Sequence, residues 1–196
     1  MKRPIRTWLI AASCTLAACS GGTKNAAAPA SETAAEAPAA KPGDPISSAM
    51  SAAPAAIGKA ATIVSMSSQG AMETLRAGTN GWTCMPDNPA TPGHDPMCMD
   101  TNATEWAMAW IGHKPPPAEK PGMMYMLEGG TDASNTDPYA TAPTGGGDWL
   151  KTGPHLMLVG SSVALKGYPA GAKPDTAAPY VMWAGTPYAH LMIPVN

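Results

Sequence analysis

Apolar positions fall into three regimes along the chain. Trp8 to Ala18 is an apolar run of eleven positions, interrupted only by Ser13, Cys14 and Thr15. Ser20 to Pro45 holds no Val, Ile, Leu, Met or aromatic residue. From Ile46 onward, short apolar stretches alternate with Gly-, Pro- and Asn-rich punctuation. Helical turns are expected near Ile46 and around Ile57, after Pro54. Ala61 to Met66 reads as a strand centred on the β-branched Ile63 and Val64, Ser67 to Gly70 as a turn, and Ala71 to Arg76 as the returning strand. Asn80-Gly81 signals a turn ahead of a short Trp-bearing strand ending at Cys84. Asn102 and Glu105 match a capping box, and behind them Ala103, Trp106, Ala107, Trp110 and Ile111 recur on one helical face. Pro115-Pro116-Pro117 ends that helix, and its two Trp read as core. Strands follow at Met123 to Glu128, Pro154 to Gly160, Tyr180 to Trp183 and Tyr188 to Val195, the last two joined by Ala184-Gly185-Thr186-Pro187. Gly129 to Asp148 is a long loop of the kind that carries function or lacks order. The pattern predicts an α+β class: an antiparallel sheet with one main packed helix, long irregular loops and one disulfide.

The first two regimes give an address. Lys2, Arg3 and Arg6 precede the apolar run, which is too short to span a bilayer and reads as a signal peptide over residues 1–18. Leu16-Ala17-Ala18-Cys19 resembles the lipobox of bacterial lipoproteins. By that resemblance Cys19 is acylated on sulfur and becomes the mature N-terminus, and Ser20 behind it points to the outer membrane. Residues 19–45 cannot offset their ordering entropy by burial and read as a disordered tether. Fully extended, Ser20 to Pro45 would reach roughly 85 Å. Residues 46–196 remain as a single globular domain facing the periplasm.

Charge narrows the partners. Residues 46–196 carry seven Lys and Arg against eleven Asp and Glu. This mildly acidic balance argues against nucleic acid as a partner. In an oxidising compartment Cys84 and Cys98 are expected to pair. The loop of about 15 residues so closed would contribute up to roughly 3 kcal/mol. Their spacing is not Cys-x-x-Cys, so a thioredoxin-like redox role has no support.

The third regime holds a set of distinctive local sequences: Gly78-Thr79-Asn80-Gly81-Trp82-Thr83-Cys84, Asp95-Pro96-Met97-Cys98, Ser134-Asn135-Thr136-Asp137-Pro138-Tyr139, Gly153-Pro154-His155 and His190-Leu191-Met192-Ile193-Pro194. The combination resembles an uncharacterised family of exported bacterial lipoproteins. The resemblance implies export and one domain, and it carries no mechanism.

The sequence lacks the nucleophile elbow, phosphate loop, zinc-protease and dinucleotide signatures. Three function classes remain. A binding or structural envelope protein, tethered by its lipid and presenting loops to a periplasmic partner or ligand, is the simplest. Copper binding is a sharper alternative: His155 and Met157, like His190 and Met192, share a strand face, and imidazole with thioether suits Cu(I). The chain has 14 Met and no Phe, so the same Met also serve as flexible core filling. His94, Met97 and Met99 form a weaker cluster of the same type. A hydrolase-like enzyme is the third class, with Asp137 orienting His155 or His190 and Asn135 and Tyr139 beside it. The same Asn-Thr-Asp-Pro segment also reads as a self-bonded turn.

Overall fold

The computed structural model describes residues 43–67 and 71–195. The expected export signal, the acylated Cys19 and the tether up to residue 42 lie outside the described residues, as does most of the turn at 67–70. Among the described residues no helix is long and apolar enough to cross a membrane.

The first helix, α1 (Pro45–Ser51), starts inside the expected tether. The Asp44 carboxylate accepts the N–H groups of Ile46 and Ser47, and Pro45 supplies the pre-set first helical position. A short α2 (Ala55–Gly58) follows Pro54. The two helices touch so closely that a Cβ on Gly58 would lie 2.5 Å from the Met50 carbonyl oxygen. Next come β1 (Thr62–Met66) and β2 (Met72–Arg76), the expected hairpin, and then β3 (Thr83–Met85). The fourth strand, β4 (Met97–Met99), was not legible, because the Pro-rich stretch between the cysteines hides it. Cys84 and Cys98 face each other across β3 and β4 and form the expected disulfide.

The main helix, α3 (Thr101–Ile111), starts two residues earlier than the capping box predicts. Asp100 is the cap: one carboxylate oxygen accepts the Ala103 N–H at 2.8 Å, and the other accepts the Met123 N–H at 3.0 Å. A charged carboxylate that joins helix to sheet wins over Asn102, whose amide donates instead to the Pro121 carbonyl. Glu105 pairs with Lys120 rather than closing a box.

The rest of the sheet comprises β5 (Gly122–Met126), β8 (His155–Val159), β9 (Tyr180–Met182) and β10 (His190–Pro194). Between β5 and β8, β6 (Gly130–Asp132), at the start of the expected long loop, and β7 (Leu150–Thr152), just beyond its end, pair as a separate ribbon. The eight-stranded sheet has the order β2-β1-β3-β4-β5-β8-β10-β9 and is antiparallel except for the β1–β3 pair.

Directly opposed residues share a face. One face therefore carries Met99, Met124, Met126, His155, Met157, His190, Met192 and Met182. It packs beneath Ala103, Trp106 and Ala107 of α3. The other face carries Ile63 and the disulfide, which pack with Ala49 and Ala52 of α1 and its connection to α2. The sheet thus separates two cores of different chemistry.

Candidate ligand-binding cavity

The two His-Leu-Met segments are neighbours. β8 and β10 run antiparallel with Met157 opposite Met192, Leu156 opposite Ile193 and His155 opposite Pro194. His155, Met157, His190 and Met192 all line one cavity of about 130 Å³ between the sheet and α3. The antiparallel register joins the thioethers at the centre and sets the imidazoles on either side of them.

Each imidazole is held the same way. Nδ1 of His155 lies 2.7 Å from the Gly153 carbonyl oxygen, and Nδ1 of His190 lies 2.9 Å from that of Tyr188. A carbonyl only accepts, so Nδ1 carries the proton in both rings and Nε2 keeps its lone pair. Both Nε2 atoms are buried and have no partner among the described residues. An unsatisfied buried polar atom costs about 1–3 kcal/mol, so two in one cavity require a physical reason. Burial pushes the pKa of His190 down to about 4 against the opposing carbonyl of Tyr188, with a further lowering from His155. Burial lowers His155 as well, again opposed by its carbonyl partner.

Aromatic side chains fix His190 from two sides. Trp106 and Trp183 meet it edge-on with ring centroids at 5.3 and 4.9 Å. Trp106 is buried in the core, as its helical spacing predicts. Trp183 has φ 55°, a left-handed conformation that is strained for so bulky a residue. Three contacts hold it there. Its backbone N–H donates to the Asn135 carbonyl, its indole N–H donates to the Ser134 carbonyl, and its ring lies against Trp106 and Trp110.

Polar groups also enter the cavity. Asp95 and Asp132 line it. Burial, reinforced by the charge of Asp95, pushes Asp132 up to about 7. Asp95 is raised by burial and by Asp87, although Thr91 and the Asn88 N–H donate to it. The Tyr180 hydroxyl is buried without a partner, and burial together with Asp132 raises it.

The other expected site residues serve the loop. Asn135 is buried and donates to the carbonyls of Gly171 and Val181, tying the 134–139 segment to β9. The Asp137 carboxylate accepts the Tyr139 N–H and closes its own turn. Tyr139 stacks on His113 at 3.9 Å and donates its hydroxyl to the Trp110 carbonyl. Backbone carbonyls, not Asp137, therefore orient both buried histidines. His94 stands beside Glu128 and Ser48 at the surface, while Met99 is buried in the core, so the weaker cluster does not assemble.

Sequence reasoning missed Met124, Met126, Met182, Trp183 and Asp132 as cavity residues. The signal for two of the three Met was present: one predicted strand places Met at alternate positions, Met124-Tyr125-Met126, whereas Met182 stands alone in its strand. Among the described residues no group of three or more His, Cys, Asp or Glu converges as metal ligands. A metal held here would need thioether donors. In comparisons with known proteins, the chain matches no family model, no curated protein and no solved structure.

Proposed function

We propose that the chain is an exported, lipid-anchored and non-enzymatic binding protein, which holds a small ligand in the methionine–histidine–tryptophan cavity on the periplasmic side of the outer membrane. The anchor rests on Leu16-Ala17-Ala18-Cys19, the tether and the resemblance to exported lipoproteins. The binding role rests on one observation above all: two histidines that line one cavity each bury an Nε2 with no hydrogen-bond partner among the described residues. A ligand that engages them would remove a cost of about 1–3 kcal/mol each. Catalysis is less well supported, because neither imidazole touches a carboxylate or a nucleophile.

The test is native mass spectrometry of the full-length protein extracted from its own envelope in detergent. The expected mass exceeds that of the acylated chain by the enclosed ligand, whatever its number of copies, and the excess disappears in a His155→Ala, His190→Ala double variant. A mass equal to the acylated chain alone would overturn the binding role. Mature protein without acyl mass, or membrane association left unchanged by Cys19→Ala, would overturn the anchor.

A further inference from the structure

The cavity face has a hidden symmetry. The strands β8 and β10 each carry His-x-Met, and their antiparallel pairing through Met157 and Met192 relates them by a local two-fold. The relation extends one strand outward on each side. Met126 of β5 stands opposite His155, and Met182 of β9 stands opposite His190. Each imidazole therefore has one methionine directly across from it and another two residues further along its own strand, on the same face. The symmetry stops at the next position, where Met124 on one side corresponds to Tyr180 on the other.

Resting on the binding role above, we infer that the ligand is cuprous ion, taken up by two His–Met donor sets: His155 with Met126 and Met157, and His190 with Met182 and Met192. The donor chemistry selects the metal. One imidazole nitrogen and two thioethers form a soft, uncharged set that suits Cu(I) and poorly suits Mg²⁺, Ca²⁺ or Mn²⁺. Each Nδ1 is held by a backbone carbonyl, the outer-shell arrangement that fixes a metal-binding histidine with Nε2 free. A buried site of neutral donors also favours a single positive charge over two, since desolvation penalises the more highly charged ion. The register favours one ion per imidazole. Along the backbone, His190 lies four strand positions from the residue opposite His155, about 13 Å between their Cα positions. Two nitrogens sharing one ion lie only about 4 Å apart, given metal–nitrogen bonds near 2 Å.

The experiment is an anaerobic Cu(I) titration of the full-length protein in detergent, with the disulfide intact and a chromogenic Cu(I) chelator as competitor. Two ions per chain are expected, falling to one in either His155→Ala or His190→Ala and to none in the double variant. Because a histidine deletion in the core can disturb folding, Met182→Leu and Met126→Leu are run beside them. Each removes one sulfur at nearly constant volume. At least a tenfold loss of affinity for one of the two ions is expected in each. X-ray absorption should show nitrogen near 2.0 Å and sulfur near 2.3 Å.

No competition with the chelator, or binding unchanged in the double variant, would overturn copper. A stoichiometry of one ion per chain, abolished in either single-histidine variant, would overturn the two-set arrangement. If copper does not bind but native mass spectrometry still shows an enclosed mass, the copper assignment fails and the binding role stands. If neither is seen, both fail.

Discussion

The two faces of the sheet are built from the same strands and fill them with different side chains. On β5, Met124 and Met126 face α3 while Tyr125 packs with the disulfide core. On β8, His155 and Met157 face the cavity, and Leu156 and Leu158 point the other way. On β10, His190 and Met192 do so, and Leu191 and Ile193 point away. If Met only filled space in a chain without Phe, both faces would use it. Instead the leucines of these strands collect on one face and the buried methionines on the other. The exposed Met123 and the partly buried Met50 are exceptions. Shape alone does not sort Leu from Met, whose volumes are interchangeable in cores. The donor chemistry proposed above would.

The comparison is broken most severely from the cavity side. Trp106 contacts Trp110, Trp183, Tyr188 and His190, so Trp106→Ala removes the roof of the cavity. Urea denaturation should show a loss of about 3–5 kcal/mol. On the opposite face, the paired Cys84→Ala, Cys98→Ala variant should lose about 3 kcal/mol through release of the 14-residue separation that the disulfide spans. Equal losses from the two variants, with unchanged ligand binding in both, would show that the faces are mechanically alike.

Titration separates the faces further, because the described buried groups with shifted pKa values lie on the cavity side or its polar margin. His190 prefers to be neutral when folded, at about 4. Its contribution is present above the ordinary imidazole value of about 6.5 and is lost as pH falls through 4. Asp132 prefers to be protonated when folded, at about 7. Its contribution is present below the ordinary carboxyl value of about 3.9 and is lost as pH rises through 7. Between these limits the two slopes oppose each other, with His155 acting in the direction of His190 and Asp95 in that of Asp132. Stability of the wild-type chain should therefore change little between pH 4.5 and 6.5. Asp132→Asn should expose the histidine slope, with stability rising by up to about 1.4 kcal/mol per pH unit. His190→Gln should tilt the profile the other way. Urea midpoints at four pH values decide this, and parallel profiles for all three proteins would mean that these groups do not titrate as described.

Much of the strand layout was legible because alternation and turn chemistry are local. β1 and β2, β8 and the β9–β10 hairpin follow from Ile63-Val64, from the His-Leu-Met segments and from Gly185-Thr186. The helix was legible from its Trp and Ala spacing, and its start was misplaced because the true cap also serves β5, a tertiary duty that spacing does not reveal. β4 was missed because three residues beside a Pro-rich loop carry too little periodicity. The ribbon β6–β7 was missed because Gly-Thr-Asp and Leu-Lys-Thr alternate too weakly. The cavity was half legible. Local sequence placed each His with its Met, but which strands adjoin, and in which register, is a property of the sheet. That register set Met126 opposite His155 and Met182 opposite His190.

The finest test exchanges the two faces at adjacent residues. Met192 and Leu191 are neighbours on β10, both buried, and they point to opposite faces of the sheet. Met192→Leu and Leu191→Met are both near-isosteric, and each should cost less than about 1.5 kcal/mol in stability. If the faces differ only in packing, the two substitutions should be equivalent in every assay. If sulfur on the cavity face is functional, the small stability costs will match while the binding does not. Met192→Leu should weaken Cu(I) retention at one of the two donor sets by at least tenfold, and Leu191→Met should leave it unchanged, because its new sulfur lies on the face away from both imidazoles. The comparison turns on this dissociation, since identical backbone, identical strand and nearly identical volume leave only the donor atom and the direction in which it points.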